Sequence, residues 1–236
     1  MNAEMKTREE AAAKEDIGLQ QDVLDELDWE PGVDAANIGV IVENGVVTLK
    51  GHVPTYTEKL AAEQAALRVA GVRAVAEGID VRLPSASQRT DAEVAEAVAN
   101  AIQWHAHVPE GQVQITVENG WVTLRGEVES HHQRTATIGA VRPLVGVRGV
   151  YNMLVVKPEV LALNMTAAGV REAIQHALER TALTDAAGIT VAVEGEVVTL
   201  SGQVRTWAER EDALRAAWSA PGVTVVVEHI EVEPYR

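Results

Sequence analysis

Seven histidines and the lack of any cysteine bound the chemistry open to this chain of 236 residues. His105 stands two residues before His107, and His131 adjoins His132 with Glu129 close by. Imidazole and carboxylate groups could hold a metal ion if three or four of them converged. Side chains adjacent at a helix start diverge instead, so these histidines read as surface residues, and no metal or cofactor is expected. Without cysteine there is no thiolate nucleophile and no disulfide. None of the five serines sits in a G-x-S-x-G elbow, and neither a glycine-rich phosphate loop nor an H-E-x-x-H helix occurs. No catalytic residue is assigned, and the chain reads as a non-enzyme.

Binding chemistry has better candidates. Trp29, Trp104 and Trp121, with Trp207 and Tyr56 behind them, could plug space among small core side chains or between neighbouring units. The lesser alternative is that each stands at the surface as an anchor for a partner or a lipid headgroup. Arg125, Arg134, Arg142, Arg148 and Lys157 all fall within residues 86–160, whose net charge is only −2, against −7 for 16–85 and −5 for 161–236. If any surface meets anionic headgroups it is there, and Arg134, Arg142 and Arg148 join the three tryptophans as candidate contacts. The bland alternative is five solvated charges spread over both faces, each worth about 1 kcal/mol near an anionic membrane. The whole chain carries −15, which repels nucleic-acid phosphates and also an anionic bilayer.

The elements that position these residues come in triplicate. Val46-Val47-Thr48-Leu49-Lys50-Gly51 recurs as Trp121-Val122-Thr123-Leu124-Arg125-Gly126 and as Val197-Val198-Thr199-Leu200-Ser201-Gly202, at intervals of 75 and 76 residues. A period that long fits a small domain rather than a solenoid unit. Measured back from the closing glycine, Leu19, Val23 and Leu27 match Val94, Val98 and Ile102, then Val170, Ile174 and Leu178. Spacing by four makes each set the buried stripe of a helix. Thr90 with Glu93 forms a capping box, and Thr166 supplies an N-cap.

Alternating Ile38, Val40 and Val42 (then Val113, Ile115, Val117 and Ile189, Val191, Val193) predict a strand with one buried face. Asn44-Gly45, Asn119-Gly120 and Gly195-Glu196 predict tight hairpin turns. Thr55, Ser130 and Thr206 then cap a second, Ala-rich helix that stops near Gly71, Gly146 and Gly222, with Pro143 ending the middle one early. Ile79 and Val81, Leu154 and Val156, Ile230 and Val232 mark a last strand. The fold class is therefore α+β: three tandem αββαβ modules at 16–84, 90–158 and 166–236, each a three-stranded sheet packed against two helices. Residues 1–15 form an N-terminal extension that either frays or prolongs the first helix. Linkers fall near 85–89 and 159–165.

Only eight residues are aromatic, so the cores rest on small Ala and Val side chains, and modules of about 70 residues should share surface with neighbours or with another copy. No apolar run approaches the roughly 20 residues of a membrane span. Met1 to Gly18 has no apolar signal segment, so a cytoplasmic location is expected unless a signal has been removed.

The αββαβ order, the V-V-T-L-x-G-x-V hairpin and the later Gly-Val resemble the BON domain (bacterial OsmY and nodulation), in three consecutive copies without an export signal. By that resemblance Gly51, Gly126 and Gly202 match the family's hallmark glycine, and Gly71, Gly146 and Gly222 its second. It implies a non-enzymatic module that in several members binds phospholipid or supports envelope integrity, and in others acts in osmotic stress or binds protein clients. The leading expectation is a binding or scaffolding protein of stress or envelope type. Its edge strands offer a route to homo-oligomers. The second expectation is peripheral binding of anionic phospholipid through the middle module.

Overall fold

The computed structural model of the chain describes residues 2–105, 111–157, 166–180 and 188–233. His107, Pro158, Pro234 and the linker 159–165 lie outside the described residues. The first repeat runs α1 (Asn2–Trp29), β1 (Ile38–Glu43), β2 (Val46–Val53), α2 (Tyr56–Arg68) and β3 (Ala74–Val81). The second is α3 (Asp91–His105), β4 (Val113–Glu118), β5 (Trp121–Val128), α4 (His131–Val141) and β6 (Gly149–Val156). The third is α5 (Ala167–Arg180), β7 (Ile189–Glu194), β8 (Val197–Val204), α6 (Trp207–Trp218) and β9 (Val225–Val232). The N-terminal extension prolongs the first helix.

Each repeat builds its own three-stranded sheet, in the orders β1-β2-β3, β4-β5-β6 and β7-β8-β9. The hairpin strands are antiparallel, with Val40 opposite Leu49, Ile115 opposite Leu124 and Val191 opposite Leu200. β3 joins β2 in parallel, and β6 joins β5 likewise, because a helix carries the chain back across the sheet. Asn44 and Gly45 at φ 52° and 75°, and Asn119 and Gly120 at 51° and 79°, give the mirror-image turn that matches strand twist. In the third hairpin only Gly195 takes a positive φ.

Helix stripes face these sheets as their spacing requires. Val23, Leu27, Val94, Val98, Ile174 and Leu178 are sealed from solvent, with Val47, Leu49, Val122, Leu124, Val198 and Leu200 on the central strands beneath them. Burying one such side chain is worth roughly 1.5–3 kcal/mol, so these stripes and central strands do most of the stabilising. Ala62, Ala65 and Ala66 let α2 sit close to its sheet.

Two compact units contain these elements. One is Met1–Arg82 with Arg205–Trp207 and Val232–Arg236; the other is Leu83–Val204 with Ala208–Glu231. The second and third sheets thus lie in the same unit. Among the described residues no helix is long and apolar enough to cross a membrane.

Candidate functional site

Counted from Gly51, Gly126 and Gly202, the repeats align column by column in sequence, and a few columns differ in ways that carry consequences. On the second helix one column holds Lys59, Arg134 and Arg210; on the last strand its counterpart holds Glu77, Asn152 and Glu228. Lys59 Nζ meets Glu77 Oε2 at 2.7 Å, and Arg210 pairs with Glu228. In the middle repeat the carboxylate has become an amide. Arg134 consequently turns elsewhere: its Nη2 donates to His131 Nδ1 at 2.9 Å, and its guanidinium lies 4.7 Å from the ring centre of Trp218. His131 stacks on that same indole, with centroids 4.5 Å apart and planes 11° from parallel. Since Arg134 cannot accept, Nδ1 must be the unprotonated ring nitrogen. Burial, then Arg134 and His132 nearby, push the His131 pKa down to about 4. This cluster joins α4 to the end of α6 within the second compact unit.

His131 follows the second helix's N-cap, as Tyr56 and Trp207 do in the other repeats. In the first compact unit the Trp207 indole N–H donates to the Val72 carbonyl at 3.0 Å. His131 and Trp207 in this column therefore serve packing.

A second specialised column lies on the sheet face turned away from the helices. There β6 presents Tyr151, Met153 and Val155, which are 56, 54 and 60% exposed. Beside them on β5 stand Trp121, Thr123, Arg125 and Glu127, in register with Gly149, Tyr151, Met153 and Val155. The Trp121 ring spreads over Gly149, where any Cβ would collide with it, and stacks on Tyr151 at 5.0 Å with planes 21° apart. Arg125 Nε reaches Met153 Sδ at 3.3 Å, and Lys157 Nζ pairs with Glu127 at 3.1 Å. The other repeats place Ala76, Gly78 and Asp80, or Val227, His229 and Glu231, in these positions. Among the described residues the middle module carries the aromatic and methionine side chains of this face, whereas the third repeat exposes only Val225 and Val227 on its last strand.

The remaining candidates are dispersed. Trp29 and Trp104 end α1 and α3 at 82 and 78% exposure, so neither plugs a core. Arg142 is the C-cap of α4, and Arg148 lies beside Gly120 at the hairpin turn. With Arg134 engaged on α4 and Arg125 on the open sheet, the cations do not gather into one basic surface. His132 is exposed, and among the described residues no three His, Asp or Glu side chains converge as metal ligands. The glycine columns are backbone devices. Gly51, Gly126 and Gly202 lie at φ 141°, 136° and 140°, and a Cβ there would overlap the carbonyl oxygen of Asn37, Gln112 or Gly188. Gly71, Gly146 and Gly222 take φ 99°, 97° and 81° where the chain leaves the second helix.

Two features escaped the sequence reading. Asp16 accepts both turn N–H groups of the first hairpin, Asn44 at 2.8 Å and Gly45 at 3.0 Å. Asp91 does the same for Asn119 and Gly120, at 2.8 Å each. A carboxylate 28 residues from the turn it grips gives no local signal; only its recurrence hints at it. The open-face row of β6 was detectable, because G-V-Y-N-M-L-V-V is apolar at both parities of the strand.

Similarity to known proteins was established along the same three segments. The BON domain matches residues 16–82, 90–158 and 166–234. No curated protein matches the chain. Among solved structures, CdsD, a structural protein of the type III secretion system of Chlamydia trachomatis, aligns over 92% of both chains at 13% identity and a TM-score of 0.27. The C-terminal domain of CdsD aligns over 91% of this chain and 96% of its own, at 14% identity and a TM-score of 0.26.

Proposed function

Because the chain belongs to the BON domain family, we propose that it is a non-catalytic scaffold that holds a protein partner, or a copy of itself, on the open sheet of its middle module. BON domains are generally non-catalytic binding domains of stress and envelope proteins. The observation that carries the reading is the exposed row Trp121, Tyr151, Met153 and Val155, an apolar patch of the kind that marks an interaction surface. Three linked modules add avidity to whatever one of them binds. Crosslinking from a photoreactive residue at position 153 tests the reading. Products should form there and not at position 78, its counterpart in the first repeat, and labelling equal at the two positions would refute it.

A second reading is peripheral binding to anionic phospholipid. The exposed indoles of Trp29 and Trp104 favour it, since tryptophan sits well at headgroup depth. The chain's net −15 and the dispersal of the middle-module arginines oppose it. Flotation with acidic liposomes at low salt, comparing the wild type with Trp104→Ala, decides the matter: a chain that stays in the soluble fraction ends this reading.

A further inference from the structure

We infer that the partner on the open sheet of the middle module is the same face of a second copy of this chain, the two sheets packing face to face. This deepens the binding reading above and rests on it. Side chains of a strand stand perpendicular to the sheet, so Trp121, Tyr151, Met153 and Val155 can be covered by another flat layer at about 10 Å, as in a sandwich. Edge-to-edge addition on β6 is blunted, because the Leu154 N–H is already taken by Asn152 Oδ1 at 3.1 Å.

Charge selects the occupant. A second copy is itself strongly acidic, and it can approach closely only where repulsion is least, at the module whose net charge is −2. The face is balanced as well: Arg125 and Lys157 are offset by Glu118 and Glu127, with Gln114, Thr116 and Thr123 neutral between them. A balanced patch is complementary to itself across a two-fold axis, which is what an isologous contact demands. A basic partner or an anionic membrane would call for a surplus of one sign, and the face has none. Three strands of this length offer about 300–400 Å² per copy. A stable complex takes roughly 800 Å² per partner, so the pairing is weak and depends on concentration.

The test is sedimentation of the full chain over a wide concentration series, at low and high salt. A monomer–dimer equilibrium that strengthens with salt is expected, because salt screens like charges and does not weaken apolar contact. Met153→Glu should weaken it at least about tenfold while circular dichroism stays unchanged, and Trp29→Ser should leave it alone. Since the chain has no cysteine, Met153→Cys gives one thiol per molecule and should form a disulfide homodimer under mild oxidation, whereas Ala76→Cys should not. A strict monomer at every concentration, or a dimer indifferent to Met153→Glu, overturns the self-contact. If that monomer still crosslinks a different protein or floats with liposomes through position 153, the self-contact falls while binding at this face survives. Failure of all three removes both.

Discussion

Arg134 lies over the indole of Trp218, and Asn152 stands where the flanking repeats keep a glutamate. One substitution in one column turns an ion pair within a module into a link between α4 and α6. A cation over an indole is worth about 0.5–1 kcal/mol at a partly exposed site, and an aromatic stack adds a similar amount. Trp218→Ala should therefore lower unfolding free energy by about 1–2 kcal/mol in urea titrations. Asn152→Glu should draw Arg134 back toward β6 and change Trp218 fluorescence without unfolding the sheet. Unchanged emission would show that the amide does not release the arginine.

His131 makes that link sensitive to acid. Its folded pKa, held down to about 4 first by burial and then by Arg134, lies below the 6.5 of an unperturbed histidine. The unfolded chain therefore takes up a proton that the native state refuses. This contribution is fully present above about pH 6.5 and is lost as pH falls toward 4. Denaturant midpoints should fall across that window, and His131→Tyr, the residue type of the first repeat, should flatten the slope.

The hallmark glycines are predicted to be intolerant of a methyl group. Gly126→Ala would force a Cβ into the Gln112 carbonyl at a φ that non-glycine residues rarely adopt. A loss of roughly 3 kcal/mol or more is expected, measured by thermal or urea unfolding. Gly139→Ala, where an added Cβ meets nothing within 4 Å, is the control and should be neutral or stabilising.

Asp91→Ala should release two charge-assisted hydrogen bonds to the second hairpin turn and destabilise by about 1–3 kcal/mol. Amide exchange at Asn119 and Gly120 should quicken. The third repeat already carries Ala167 in that column.

Local periodicity was enough to reveal the modules. Stripes such as Val94, Val98 and Ile102, the Asn-Gly turns and the capping box of Thr90 with Glu93 are each encoded within a few residues. The box forms as the sequence suggests, Thr90 N–H to Glu93 Oε2 at 2.8 Å and Glu93 N–H to Thr90 Oγ1 at 3.3 Å. At the start of α2 the Glu58 N–H donates to Thr55 Oγ1 at 3.1 Å, but the Glu58 carboxylate accepts from the Asp34 N–H at 2.9 Å. Long-range pairings such as Asp16 with the turn, or His131 with Trp218, leave no local trace. The grouping of the elements into two compact units, and the exposure of Trp29 and Trp104, belong to the same class of facts. A tryptophan in a sequence short of large residues invites a core position, and only tertiary packing shows that aliphatic side chains, Leu and Ile beside Val and Ala, fill the core instead.

The central claim is that the middle module's outer sheet pairs with the same face of a second copy. Its most direct measurement is site-resolved protection of that face: hydroxyl-radical labelling of Tyr151 and Met153 in dilute and concentrated protein. The account predicts that both become less reactive as concentration rises while Trp29 does not change. Equal reactivity at all concentrations, or protection at Trp29 instead, would contradict it.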